Sequence, residues 1–325
     1  MSNMRILGSR AASLQSVAAL ALLVIGLALA TDSFWTVDNG VNVLRQISVN
    51  LCLSIGMTLV ILSGGIDLSV GSVLALSGAV AAGLLKSGVD LTPLGLHLAV
   101  TPAGAVVTGI VVGLLCGAFN GTAITRFGLP PFVATLGMLS IARGLTMLWT
   151  GSHPITGLGK EFAYLGSGQW RGLPTPTWIV LGFVALFCVV TQRTRFGRHL
   201  YAVGGAERAA ALSGINVGRV KLLAYTLCGG LAGMAGVLVA ARLDSATPNA
   251  GIAYELDSIA AVVIGGASLS GGRGSVLGAV LGCLIIGVLN NGLVLLEVSP
   301  YWQQVIKGMV ILAAVAIDRA ARSDS

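Results

Sequence analysis

The dominant pattern along the chain is a succession of apolar stretches, each close to the roughly 20 residues that a helix needs to cross a bilayer. Short polar connections separate these stretches and carry most of the charged residues. The pattern predicts an all-α, polytopic transmembrane helix bundle of eight to ten spans, and ten is the count that the stretches themselves give. The predicted spans are approximately residues 14–31, 41–62, 68–86, 98–119, 130–149, 176–191, 221–241, 257–270, 275–296 and 301–318.

Glycine interrupts the pattern at two places. Residues 63–67 read Ser-Gly-Gly-Ile-Asp, and residues 265–274 contain five glycines. Glycine weakens a helix interior, and a broken helix is tolerated at membrane depth only where it faces protein or a water-filled cavity. We therefore expect broken or re-entrant segments here, and the lower limit of eight spans allows for them.

The composition excludes a soluble globular protein. Of the 325 residues, 55% are hydrophobic and only 10% are charged, whereas soluble domains carry about 25% charged residues. No stretch is long and polar enough for a second domain, so residues 1–325 are predicted to form a single transmembrane domain. The five cysteines lie singly in apolar segments without metal-ligand or disulfide spacing, so no metal site is predicted.

The distribution of charge predicts the orientation in the membrane. The net charge is +7, from 19 Lys and Arg against 12 Asp and Glu, and the bases lie at helix ends, which indicates membrane orientation rather than nucleic-acid binding. The positive-inside rule places both termini in the cytoplasm. The bases on the predicted inner side are Arg5, Arg10, Arg126, Arg193, Arg195, Arg198, Arg208, Arg219, Lys221, Arg319 and Arg322.

The N-terminus allows a second interpretation. Two arginines precede the apolar run 17–30, and Ala28-Leu29-Ala30 resembles a signal-peptidase site. We interpret the run as a retained first helix, because it is long and every later stretch is also membrane-like.

A sequence similarity between two parts of the chain indicates an inverted repeat. Residues 117–121 resemble residues 287–292, and Pro130 lies as far beyond Asn120 as Pro300 lies beyond Asn290. The two helices are five spans apart, so the copies would run in opposite directions, as is frequent in transporters. A second resemblance, between residues 64–69 and 265–270, does not fit this offset.

The polar loop at 192–221 contains a predicted short helix. Glu207 favours a helix N-terminus and Gly214 favours a helix end. A helix of about two turns is not stable alone, so the bundle or a partner must hold it. Its alanines bury too little area to anchor in lipid, which favours a protein contact.

This loop resembles the cytoplasmic coupling loop of permeases of ATP-binding-cassette (ABC) importers, in the branch for ribose and related sugars. Residues 62–72 (LSGGIDLSVGS), 135–144 (TLGMLSIARG) and the long run 255–307 resemble the same family. The similarity covers nearly the whole chain. One departure is Ala206, where relatives often carry a polar residue that would cap the helix.

The resemblance implies a set of partners. A second permease chain, identical or paralogous, would complete the pathway in the inner (plasma) membrane. A separate ATPase would bind ATP and Mg, and a periplasmic or extracellular sugar-binding protein would deliver the solute. No Walker A phosphate loop occurs in the sequence, since the only Gly-Lys pair is followed by Glu161. The residues implied in coupling to the ATPase are Glu207, Arg208, Ala209, Ala210, Leu212, Ser213 and Gly214.

Polar side chains within predicted spans are candidates for the translocation pathway, because polar groups are costly in lipid. For any single one the simpler interpretation is a hydrogen bond between helices. Asn120 and Asn290 rank first because the suspected repeat matches them. Asp67 is expected to cap the next helix, and Lys307 needs a partner that the sequence does not name. The candidates are Asn50, Thr58, Asn120, Thr135, Arg143, Asn290 and Asn291.

Other functions remain as alternatives. An ABC permease for nucleosides or another small polar solute would share this pattern. An ion-coupled secondary transporter would be expected to hold paired acids or a histidine relay at mid-membrane, and His97, His153 and His199 all fall at or outside span ends. A membrane-embedded enzyme or a scaffold is less consistent with the basic loop.

Overall fold

A computed structural model describes residues 2–91 and 96–323. Within these residues the chain forms thirteen α-helices and three short two-stranded antiparallel ribbons. The helices in the first half are α1 (Ser2–Ala30), α2 (Val37–Leu62), α3 (Val70–Ser87), α4 (Pro102–Arg126), α5 (Pro131–Thr150) and α6 (Lys160–Ser167). Those in the second half are α7 (Thr175–Arg193), α8 (Arg195–Gly205), α9 (Glu207–Leu212), α10 (Val217–Leu243), α11 (Tyr254–Ile264), α12 (Val276–Leu295) and α13 (Pro300–Ser323).

The ribbons join loops at the ends of the bundle. Strand β1 (Val89–Leu91) pairs with β2 (Leu96–Leu98), and β4 (Gln169–Trp170) pairs with β5 (Leu173–Pro174). Strand β3 (Ile155–Thr156) pairs with β6 (Ser245–Ala246), which ties the loop after α5 to the loop after α10.

The prediction of an all-α polytopic bundle is confirmed. Seven helices in the described ranges are long and apolar enough to cross a membrane, namely α2, α3, α4, α5, α7, α10 and α12. The apolar part of α1, Ser16–Ala30, is shorter. The count of ten spans stays a prediction, as does the extent of a single domain over residues 1–325.

Helix α11 corrects one predicted span. The sequence predicts a span over residues 257–270, but the helix ends at Ile264 and has 11 residues. At 1.5 Å per residue it covers about half of the roughly 30 Å hydrocarbon core. The helical prediction over 265–270 is therefore wrong, and the expected glycine break after α11 is confirmed.

The two breaks use the same helix-ending turn. After α2, Gly64 has a φ of 82° and donates to the Ile61 oxygen at 2.9 Å. After α11, Gly266 has a φ of 88° and donates to the Val263 oxygen at 2.8 Å. Such a left-handed residue at a helix end favours glycine. The resemblance between 64–69 and 265–270 thus reflects a shared turn, in a register shifted by one residue.

Burial separates a central group of helices from a peripheral group. In the most apolar stretch of α2, 83% of residues are buried, against 22% in α4 and in α7. Helices α3, α10 and α12 resemble α2, and α5 resembles α4. Because the central helices are buried on nearly all sides, their polar side chains must find partners within the protein.

Four glycines on α4 form the seam between this helix and α10. Gly109, Gly113, Gly117 and Gly121 recur every fourth residue and face α10. A Cβ atom at Gly113 would overlap the carbonyl oxygen of Gly229, and one at Gly229 would overlap that of Gly113. The two backbones therefore touch without side chains between them, which is the arrangement that small residues permit in membranes.

We expect Gly113→Ala to destabilise the bundle, because the added methyl group must push α10 away. Overpacking of this kind costs about 1–3 kcal/mol. The free energy of unfolding of the purified protein in mixed micelles measures the effect. Gly182→Ala on α7 is the matched control, because no heavy atom lies within 4 Å of its Cβ position. Equal stability of the two variants would contradict the seam.

Candidate functional site

The predicted short helix of the basic loop is present as α9. Ala206 precedes it without a side-chain capping bond, and the Glu207 carboxylate pairs with the Lys221 ammonium of α10 at 2.8 Å. The helix ends at Leu212. In the turn that follows, Gly214 has a φ of 82°, and the Ile215 N–H donates to the Ala210 oxygen at 3.1 Å. Helix α9 is thus held by its own end turn and by one ion pair.

The faces of α9 differ sharply. Ala210 is buried and packs into the main hydrophobic core, whereas the remaining residues of the helix are exposed. Leu212 has 91% of its surface exposed. Single exposed leucines are common, but this one ends a helix with one buried residue. Ala210 therefore attaches α9 to the bundle, and Arg208 and Leu212 remain available to a partner.

Helix α8 was not predicted. Its N-cap Thr194 accepts the Gly197 N–H at 3.2 Å, and its 11 residues bury Leu200 and Val203 against the bundle. Phe196 packs against the same core. These three apolar residues recur at spacings of four and three, which is the helical signal that could have revealed α8.

The C-terminal half of α8 contacts the break between α11 and α12. The Tyr201 hydroxyl donates to the Gly274 oxygen at 2.9 Å. Burial raises the pKa of Tyr201, so its hydroxyl remains a proton donor at neutral pH. The Gly272 N–H in turn donates to the Leu62 oxygen at the end of α2, at 3.1 Å. The basic loop and both glycine breaks therefore meet at one place.

Asn120 belongs to a buried hydrogen-bond chain beside the first break. Its Nδ2 donates to the Ser69 Oγ at 3.0 Å, and the Ser69 hydroxyl donates to the Asp67 Oδ1 at 2.6 Å. The Ser69 N–H donates to the same carboxylate oxygen at 2.9 Å, so Asp67 satisfies a backbone donor where α3 begins. All three side chains are buried.

The two highest-ranked pathway candidates share an unusual property. The Asn120 Oδ1 and the Asn290 Oδ1 are buried and have no hydrogen-bond partner within the described residues. Leaving a buried polar atom unpaired costs about 1–3 kcal/mol. A water molecule or a solute hydroxyl that reached either oxygen would remove this cost.

The other candidates are mostly occupied by bonds within the protein. The Thr58 hydroxyl donates to the backbone carbonyl oxygen of Ser54 at 2.6 Å. The Thr135 hydroxyl donates to the backbone carbonyl oxygen of Pro131 at 2.9 Å, and each bond lies within one helix. Asn50 is buried in α2. Their role in a pathway stays a prediction.

Asn291 and Arg143 connect distant parts of the chain. The side-chain amides of Asn291 and Asn39 form two hydrogen bonds with each other, of 3.1 and 2.7 Å, which join α12 to α2. The Arg143 Nη1 donates to the oxygens of Pro248 and Ala250 at 2.7 and 2.9 Å. These contacts fix the connection between α10 and α11 to α5.

Lys307, for which the sequence names no partner, pairs with Asp257. The Lys307 Nζ lies 3.0 Å from the Asp257 Oδ2, and the carboxylate is buried. The pair joins α13 to α11. One acid of the bundle interior is therefore paired with a base.

An apolar groove of about 450 Å³ lies between α3, α4 and α5 and includes none of the pathway candidates. The single polar group of its aromatic residue, the Trp149 Nε1, already donates to the Ala79 oxygen at 3.0 Å. The groove therefore suits hydrocarbon rather than a sugar. Its lining residues are Leu76, Val80, Val112, Leu145, Leu148 and Trp149.

Comparison with known proteins places the chain in a family. The family model described as the permease component of a branched-chain amino acid transport system matches residues 39–315. The chain belongs to this permease family. It is accordingly a multi-pass membrane protein with a role in transport.

Relatives with assigned names are sugar permeases, as the sequence resemblance implies. The chain is 49% identical over 303 residues to the ribose import permease protein RbsC of Bacillus subtilis, covering 92% of this chain and 90% of that protein. It is 45% identical over 309 residues to RbsC of Escherichia coli K12, covering 94% and 92%. The D-allose transport system permease protein AlsC of the same organism is 40% identical over 291 residues, covering 90% and 86%. No solved structure matches the chain significantly.

We expect the Asn39–Asn291 pair to show a measurable coupling energy in a double-mutant cycle of alanine substitutions. Polar pairs in membrane bundles average about 0.6 kcal/mol and reach about 1.7 kcal/mol. Unfolding free energies of both single variants and the double variant give the value. A parallel cycle of Asn39 with Asn290, the neighbour that does not bond to it, should give a coupling near zero. Equal couplings in the two cycles would contradict the assignment.

Proposed function

We propose that this chain is the membrane-spanning permease subunit of an ABC importer, which moves a sugar into the cytoplasm by alternating access. The observation that carries the proposal is the near full-length similarity to permeases named for ribose and allose. The substrate class is therefore ribose, another monosaccharide or a related polyol. Nucleosides and other small polar solutes are the alternative substrates.

The chemistry of ATP would belong to another chain. The sequence has no Walker A loop, so ATP and Mg would bind to a separate ATPase and this chain would hydrolyse nothing. A second permease chain, identical or paralogous, would complete the pathway. A sugar-binding protein would deliver the solute from the outer side, with both termini of this chain in the cytoplasm.

Helix α9 is the proposed contact for the ATPase. Its exposed face carries Arg208 and Leu212, and only Ala210 is committed to the bundle. An apolar side chain on a short exposed helix fits a groove on a partner. ATP binding by the partner would shift α9 and α8, and the permease would respond only as far as its two states differ in these contacts.

The selection of solute would lie mainly in the binding protein. Many of the buried hydroxyl groups in the described residues donate to backbone oxygens of the preceding turn, as Thr58, Thr135 and Thr146 do, which supports a weakly polar pathway. Asn120 and Asn290 are the proposed contacts for a passing solute, because their amide oxygens lack protein partners in the described residues.

The proposal is tested by affinity purification of this chain from gently solubilised native membranes, with mass spectrometry of what accompanies it. We expect an ABC ATPase and a soluble binding protein. Thermal-shift assays of that binding protein with ribose, galactose, adenosine and leucine would then define the substrate class. Leucine is included because the matching family model is named for branched-chain amino acids. Recovery of a folded chain without an ATPase would contradict the importer assignment.

We expect Leu212→Asp to remove the ATPase while leaving the bundle intact, because the side chain is exposed and contributes nothing to the core. Loss of a central interface anchor costs about 2 kcal/mol or more, which weakens binding about 30-fold. Titration of purified ATPase onto the permease in nanodiscs measures the affinity.

Leu212→Met is the matched control, because it keeps an apolar side chain of similar volume and should bind the ATPase normally. Ala210→Asp would be a poor probe of docking, because Ala210 is buried and a carboxylate there would disrupt the attachment of α9 itself. Normal ATPase affinity of Leu212→Asp would contradict the role of this face.

A further inference from the structure

The C-terminal end of α8 is packed directly against both glycine breaks. A Cβ atom at Gly204 would overlap the Leu62 carbonyl oxygen and would lie 2.6 Å from the Gly272 nitrogen. Leu62 is the last residue of α2, and Gly272 lies between α11 and α12. No side chain at position 204 is therefore compatible with this packing.

The contacts are reciprocal on the second break. A Cβ atom at Gly271 would lie 2.7 Å from the Gly204 oxygen and 2.9 Å from the Gly64 Cα. One at Gly272 would lie 2.6 Å from the Gly205 Cα and 3.1 Å from the Gly204 carbonyl carbon. Gly64, Gly271 and Gly272 all have positive φ values, of 82°, 88° and 70°. Three backbone segments thus meet with no side chain between them, and we name Gly64, Gly204, Gly271 and Gly272 the glycine joint.

Through backbone contacts of this kind, a displacement of one segment is passed almost fully to the segment that it touches. A side chain at an interface can change rotamer and absorb a small shift, whereas close-packed main chain cannot, so packed segments move together. Helix α9 lacks such contacts, because one buried alanine and the Glu207–Lys221 ion pair are its main attachments. Helix α8, rather than α9, is therefore the element whose movement must reach the interior.

Both glycine breaks in the joint lead to an interior polar group. The break after α2 continues into Asp67 and Ser69, where the Ser69 hydroxyl donates to Asp67 and accepts from Asn120. The second break directly follows α11, and that helix carries Asp257, the partner of Lys307. A displacement of α8 would thus reach the two parts of the bundle that hold its buried acids.

We propose that the glycine joint conveys the ATPase-driven movement of the coupling loop to both broken helices, with Gly204 as the positioning residue. This inference rests on the proposed function, because it assigns a path to the coupling that an ABC importer requires. Gly204 contacts neither solute nor nucleotide. It acts by allowing α8 to rest on the two breaks.

Adjacent glycines provide the test. Gly204→Ala and Gly205→Ala are the same substitution on the same helix, but no heavy atom lies within 4 Å of the Cβ position at Gly205. The full complex in proteoliposomes is assayed for ATPase association, ATP hydrolysis and sugar uptake. We expect Gly204→Ala to bind the ATPase normally, but the amount of sugar imported per ATP hydrolysed should fall by at least about fivefold. Gly205→Ala should match the wild type in all three.

A second variant keeps the proposal testable if Gly204→Ala does not fold. Tyr201→Phe removes the hydrogen bond from α8 to Gly274 without adding bulk, and should lower the same ratio by about fivefold, which is the equivalent of one hydrogen bond of about 1 kcal/mol. A normal ratio in Gly204→Ala would overturn the proposal. So would a normal ratio in Tyr201→Phe if Gly204→Ala failed to fold.

The wild-type complex separates this inference from the proposed function. If the wild-type chain bound no ATPase or imported no sugar, the proposed function would fail and the joint would fail with it. If the wild type imported sugar and all variants retained its ratio of sugar to ATP, the joint alone would be overturned.

Discussion

Close backbone contact through glycine is the constraint on which this structure depends. Lipid tails are as apolar as leucine, so burial of apolar side chains does not by itself drive membrane helices together. Packing at short range must supply the attraction, and it grows as backbones approach. The seam of Gly113 against Gly229 and the contact of Gly204 with Leu62 are two uses of the same device. The first holds the peripheral helix α4 against the central helix α10, and the second connects the basic loop to the interior.

The same device explains which parts of the fold the sequence could predict. Hydropathy and composition were sufficient for the bundle, and the glycine runs were sufficient for the breaks after α2 and α11. The spacing of Gly109, Gly113, Gly117 and Gly121 also indicates a packing face. The partner of that face was not predictable, because α10 lies about one hundred residues away and many helices of the chain contain glycine. The end of α11 was missed because hydropathy does not distinguish a short helix from an apolar turn.

The candidate site, like the fold, was predicted from the sequence only in part. Sequence alone selected Asn120 and Asn290, and both have buried amide oxygens without protein partners in the described residues. It could not identify the bonding partner of Asn291, because Asn39 lies 252 residues away in sequence. It likewise could not assign Arg143 to the carbonyls of Pro248 and Ala250, since backbone acceptors leave no mark in a sequence. The missing information in each case is a long-range contact.

The unpaired oxygens and the glycine joint are physically complementary. A rigid contact moves what it touches, and the first polar group beyond Gly64 is the Asp67–Ser69–Asn120 chain. In the conformation described here that chain leaves one amide oxygen unsatisfied, at a cost of about 1–3 kcal/mol. A conformation that admitted water or a solute hydroxyl at this position would recover that cost, and would therefore lie closer in free energy to the described conformation than bundle packing alone would place it. Only when two states are close in free energy can the modest difference in a partner's contacts drive the exchange between them.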